Sequence, residues 1–161
     1  MLKLLLITLL TISVFGVEIV IDKTVKKLDI TVENKSKFTR DDVKEVVFDS
    51  ATSLMWQDDS HAKSVKKDWS DAKSYCQNLT HAGYDDWYLP SIKEIETLAD
   101  TTRYNPAIKK EFKNTVSSNY WSSSPYVSNS KHVWGVDFKY GHSYNRSKTF
   151  ELCVRCARAG Q

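Results

Sequence analysis

The residues that could carry chemistry are few: three cysteines, four histidines and a scatter of carboxylates. Cys153-x-x-Cys156 has the spacing of a redox dithiol. Redox pairs normally open a helix, where the dipole lowers a thiol pKa. Here the pair closes Phe150–Arg155, a strand-like run, and residues three apart on a strand point to opposite faces. An odd cysteine count in an oxidising compartment gives one bridge and one leftover thiol. Cys76, in a helix-like stretch, and Cys156, near the C-terminus, sit where a long-range staple would hold a small secreted domain.

Catalysis and metal binding find little support. His61, His81, His132 and His142 lack a metal-ligand spacing such as His-x-x-x-His. There is no Gly-rich phosphate loop and no nucleophile elbow. Ser122-Ser123-Ser124 suits turn and cap hydrogen bonds better than a nucleophile. Asp58-Asp59 and Asp85-Asp86 are oxygen-rich, but calcium needs about six to eight converging oxygens. They read as solvated acidic loops; the alternative for Asp86 is a hydrogen bond to backbone beside Trp87. No catalytic residue, metal or cofactor is expected.

Binding has better candidates. Trp56, Trp69, Trp87, Trp121 and Trp134 read as core. The stretch from Lys139 to Arg146 mixes cations, phenols and amides around a turn, the composition of an adaptable binding loop. Lys139, Tyr140, His142, Tyr144, Arg146 and Lys148 are the candidate ligand residues, with Lys131 and His132 nearby. Their cations would attract an acidic polymer and their rings would stack on sugar faces. The competing reading is a plain polar hairpin whose cations keep the surface soluble.

These residues need elements to position them. Val17–Ile21 and Leu28–Val32 alternate like short strands. Val43–Phe48 and Ser53–Trp56 read as strands around a turn at 49–52, followed by a charged loop. Trp69, Ala72, Cys76 and Leu79 recur on one face of a helix over 68–79, with Gly83 as its terminator. Ser91-x-x-Glu94 is a capping box opening a second helix. Pro106–Phe112 suggests a brief third helix. The last third reads as strands: Tyr120–Ser122, His132–Lys139, a turn at 140–142, and Phe150–Arg158.

The N-terminus reads as a secretory signal. Lys3 is a minimal positive region, Leu4–Phe15 is apolar, and cleavage is expected after Gly16. The apolar run is shorter than the roughly 20 residues a membrane span needs. The expected organisation is a signal at 1–16, an N-terminal extension at 17–40 and one domain at 41–161. The chain would be exported to the periplasm, cell surface or medium, without a transmembrane segment in its mature form. The formal charge of +3, or +2 without Lys3, argues against a dedicated nucleic-acid binder. Aromatics at 12% and charged residues at 27% describe a folded domain rather than a disordered tail.

The order of motifs resembles the C-terminal domain family of the Legionella collagen-like protein, a bacterial domain of unknown function. The landmarks are Thr52 to Gln57, Trp69-x-x-Ala72-x-x-Tyr75-Cys76-x-x-Leu79, and Gly83-Tyr84-x-Asp86-Trp87-Tyr88-Leu89-Pro90-Ser91-x-Lys93-Glu94. They continue with Tyr120-Trp121-Ser122-Ser123-Ser124, Trp134-x-Val136-x-Phe138-x-x-Gly141 and Val154-Arg155-Cys156. Together they cover about three quarters of the chain. Departures are Ser53, where the family usually has Gly, and Tyr88, where Arg is usual. The resemblance implies an α+β, C-type lectin-like fold with two main helices and twisted antiparallel sheets. It implies a disulfide from the first helix to the last strand, Cys76–Cys156, which leaves Cys153 as a buried or half-buried thiol. The functional expectation is a secreted, non-enzymatic binding module for a glycan or acidic surface polymer. The alternative is a structural or protein-interaction domain of the bacterial envelope, binding an envelope or host surface protein.

Overall fold

The computed structural model describes residues 10–14, 17–21 and 37–160. The chain divides into two compact units, Met1–Ser36 and Lys37–Gln161. In the first, β1 (Leu10–Val14) pairs antiparallel with β2 (Val17–Ile21). The strand expected at Leu28–Val32 lies outside the described residues, as does most of the expected leader, including its cleavage point at Gly16.

The second unit carries two sheets. One is antiparallel, in the order β11-β5-β4-β3, built from β3 (Phe38–Asp41), β4 (Val46–Asp49), β5 (Leu54–Gln57) and β11 (Ala157–Ala159). The expected domain start at 41 falls inside this sheet, at the end of β3. The other has the order β6-β10-β7-β8-β9, from β6 (Lys66–Lys67), β7 (Asn119–Pro125), β8 (His132–Asp137), β9 (His142–Ser147) and β10 (Leu152–Cys153). It is mixed rather than wholly antiparallel, because β10 runs parallel to β7 at Cys153 and Tyr120. The expected last strand over 150–158 is split into β10 and β11. Its two halves serve different sheets, so Val154–Cys156 bridges them.

Three α-helices interrupt the strands. The charged loop at 58–67 contains α1 (His61–Ser64). Next, α2 (Trp69–Gln77) begins where the Asp68 side chain accepts from the Asp71 N–H, and it buries Ala72 and Cys76. It ends at Asn78, so Gly83, at φ +84°, serves the following turn and not the helix end. Then α3 (Ile92–Ile95) has the capping box read from Ser91 and Glu94. A 3-10 turn at Glu96–Leu98 continues it. The expected third helix at 106–112 does not form. Ala107 instead donates its N–H to the Phe138 carbonyl, and Ile108 bridges to Ala99, which spends the backbone groups on other elements.

Alternation along the five-stranded sheet sends neighbours into two cores. Tyr120 and Cys153 join Trp56, Ile95, Leu98 and Phe138 on one side. Trp121 and Val154 join Ala72, Cys76, Trp87 and Leu89 on the other. The second core is crossed by the Cys76–Cys156 disulfide, which joins α2 to the residue just before β11. Cys153 is a buried free thiol, and burial pushes its pKa up. The fold is thus α+β, dominated by strands, with a helix-to-strand staple.

One acidic pair departs from expectation, and the other gains a partner. Asp58 and Asp59 are buried, not solvated. Asp58 pairs with Arg40 and with Arg155 and accepts from the Lys113 N–H, so its charge is compensated inside the protein. Asp86 stays exposed, as the loop reading expects. It pairs with Arg158 at 2.6 and 3.0 Å, which in turn lies 3.7 Å from the Tyr84 ring.

Candidate functional site

The turn between β8 and β9 requires Gly141, which adopts φ +76° with Ala107 close behind it. Asp137 ties the turn down by accepting from the Lys139 N–H through its carboxylate and from the Gly141 N–H through its carbonyl, both at 2.7 Å. The 99–109 segment supports it from behind, with the Asn105 N–H donating to the Lys139 carbonyl.

This fixed turn presents two rings to solvent and meets a third from the 101–105 loop. Tyr140 stacks on His142, with centroids 5.7 Å apart at 24°, and meets Tyr104 at 5.6 Å. Tyr104 is 64% exposed and Tyr140 51% exposed, so neither ring is spent on the core. The Lys139 ammonium lies 5.1 Å from the Tyr140 centroid, and its pKa is raised, first by the Tyr140 hydroxyl. Tyr104 was missed from sequence. Its only signal was an aromatic in the polar Thr101–Asn105 loop, and nothing local ties that loop to a hairpin 36 residues on.

The other candidates lie farther along β9, the edge strand of its sheet. Tyr144 is half-buried over Gly135, its register partner, and burial pushes its phenol pKa well up. It therefore forms a floor rather than a free ring. Arg146 is exposed and lies 5.1 Å from the Tyr144 ring. Lys148 lies 4.7 Å from the centroid of Trp69, which Lys73 also approaches at 4.8 Å. The six candidates thus divide into a tip group, Lys139, Tyr140 and His142, and a far group, Tyr144, Arg146 and Lys148. His132 is held by Asn145 at 2.8 Å, and exposed Lys131 accepts through its carbonyl from the Lys148 N–H.

Among the tryptophans, Trp56, Trp87 and Trp121 are buried as expected. Trp69 and Trp134 are only half-buried. Trp134 packs edge-on against Tyr126, while Trp69, at the start of α2, packs against the second core and also meets two lysines.

The triple serine run lies in β7. Ser122 donates to the Trp134 carbonyl, and Ser124 accepts from the Ile92 N–H at the start of α3. Among the described residues, no three His, Cys, Asp or Glu side chains are placed to share a metal ion. Nor is any described helix long and apolar enough to cross a membrane.

The disulfide, the capped helices and the paired sheets span the same stretch that a family model matches. That model, the Lcl C-terminal domain, covers residues 45–158. The chain belongs to the Lcl C-terminal domain family. No curated protein matches it. The Lcl match includes the hairpin tip, both bridge cysteines and Arg155, but begins after β3 and so omits Arg40. Tyr88, where the family usually has Arg, donates its hydroxyl to Glu94 at 2.9 Å, tying it to the capping box of α3. Membership in the Lcl family and a disulfide are both consistent with an exported protein.

Proposed function

We propose that this Lcl C-terminal domain is an exported, non-enzymatic binding module of C-type lectin-like architecture for a glycan or acidic surface polymer. The observation that carries this reading is the Tyr104–Tyr140–His142 ring cluster, exposed on a turn that backbone hydrogen bonds hold in place. Rigid, amphipathic rings supply contact area at little entropic cost. Lys139 beside them adds a charge for a carboxylate or sulfate group. Exposed cations act mainly on encounter and are screened by salt, so the rings give the short-range contact.

A glycan array at low and high salt tests the reading. Hits on uronic or sulfated polymers that weaken with salt support it. Silence across all sugars, with specific retention of an envelope or host surface protein, favours the protein-interaction alternative.

A further inference from the structure

The far group on β9 has a geometry of its own. The Trp69 ring is pinned twice: its indole N–H donates to the Ser122 carbonyl at 2.9 Å and its backbone N–H to the Lys148 carbonyl at 3.0 Å. Lys73 comes from α2, four residues on, and Lys148 from just beyond β9. Both ammonium groups lie within 5 Å of the same ring centroid, which puts two like charges within about 10 Å of each other. Among the described residues, no salt bridge engages Lys73, Lys148 or Arg146. A solvated lysine is ordinarily free to swing away from another. Here a fixed indole gathers two, and an anionic group beside the ring would be drawn by both.

Alternation places this group in line with the tip. His142, Tyr144 and Arg146 share one face of β9, and Lys148 follows two residues later. From His142 to Lys148 is roughly 20 Å at about 3.3 Å per residue. Arg146, over Tyr144, stands between the two ends.

We propose that Trp69 with Lys73 and Lys148 forms a second, anion-reading subsite, and that one extended acidic polymer lying along β9 occupies it together with the aromatic tip. This rests on the glycan reading above and deepens it. The domain then selects for polymer length as well as charge. A short oligomer is held at the aromatic tip alone, whereas a longer one engages both ends and gains from the high effective concentration of its second contact.

The probe is a length series of uronic-acid oligomers, from disaccharide to well beyond the span of β9, titrated by calorimetry at low and moderate salt. A reduced, neutral series serves as control. Affinity should rise steeply, by about tenfold or more, once the oligomer reaches from tip to Trp69. The double variant Lys73→Ser with Lys148→Ser should remove that rise and flatten the salt dependence of the long oligomers. It should leave disaccharide binding and the melting temperature close to wild type. Tyr140→Ala should instead abolish disaccharide binding. Oligomers that bind with no gain from length, or a gain that survives the double variant, overturn the second subsite and leave the glycan reading standing. No binding by any oligomer, acidic or neutral, overturns both.

Discussion

Arg155 donates to Asp58 across 97 positions of sequence at 2.7 Å, and neither side chain reaches solvent. The same guanidinium donates to the Gln57 and Asn114 carbonyls and to Thr115. Burial lowers the Arg155 pKa, so these contacts offset a real desolvation cost. The pair joins β5 to the segment ahead of β7 and to the bridge between β10 and β11. Arg155→Met should lower the free energy of urea unfolding by about 3 kcal/mol, because it removes one of the two cations that compensate the buried Asp58 carboxylate, leaving Arg40, and takes a donor from the Gln57 and Asn114 carbonyls. The double variant with Asp58→Asn should cost less than the sum of the two single changes.

The disulfide closes 80 residues, which places its chain-entropy contribution near the upper end, about 4.5 kcal/mol. Cys76→Ser should therefore depress the melting temperature sharply. Cys153→Ala removes a buried sulfur and no cross-link, for about 1–2 kcal/mol. Non-reducing peptide mapping should recover Cys76 joined to Cys156. Cys153 should be alkylated only after unfolding, since burial both shields its thiol and raises its pKa.

Local signals in the sequence carried far for α2 and for the start of α3, because a cap and a helical face are written within a few residues. β8 and the turn after it were legible for the same reason, whereas the polar stretch of β9 entered only through the competing reading as a plain hairpin. What escaped was long-range. Asp58 reads as loop acid until Arg40 and Arg155 arrive from opposite ends of the domain. Trp69 reads as core by its helical spacing and does pack against the second core, yet Lys148, from just beyond β9, also meets its ring. Pro106 reads as a helix start, but strand pairing claims Ala107 and Ile108 first.

Ser53 stands where the family usually has Gly, and its φ of +56° is the left-handed region that glycine tolerates. Left-handed backbone costs a side-chain-bearing residue about 1–2 kcal/mol. Ser53→Gly should therefore stabilise the domain by about 1 kcal/mol, somewhat reduced by the entropy glycine adds to the unfolded chain. Chemical denaturation of the two proteins side by side checks it, and a destabilised glycine variant would count against the strain.

Three carboxylates with lowered pKa values, Asp42, Asp86 and Asp100, contribute to the acid limb of stability, Asp100 through its Thr102 hydrogen bond. Arg158 holds the Asp86 pKa below 3.8, and Lys113, then Arg40, does the same for Asp42. A depressed folded pKa contributes stability that is complete above the unfolded value and lost as pH falls through the folded one. Melting temperature should thus stay level down to about pH 4 and drop below it. Asp86→Asn should flatten that drop while lowering the plateau at neutral pH. A variant with an unchanged acid limb would remove Arg158 as its cause.

The hairpin tip separates binding from stability most cleanly. Tyr104 and Tyr140 are exposed and touch mainly each other, His142 and Lys139. Changing both to Ser removes little buried area, so the melting temperature should move by no more than a degree or two, within the usual range for surface substitutions. If these rings are the contact surface, each should behave as a binding hot spot, worth more than about 1 kcal/mol. The double variant should then lose affinity for its sugar ligand by about two orders of magnitude or more, read by calorimetry at matched salt. Lys139→Ser alone should weaken binding mainly at low salt, since an exposed cation is screened as ionic strength rises. Full affinity in the Tyr104→Ser, Tyr140→Ser protein would remove the tip as the site, whatever the cations contribute.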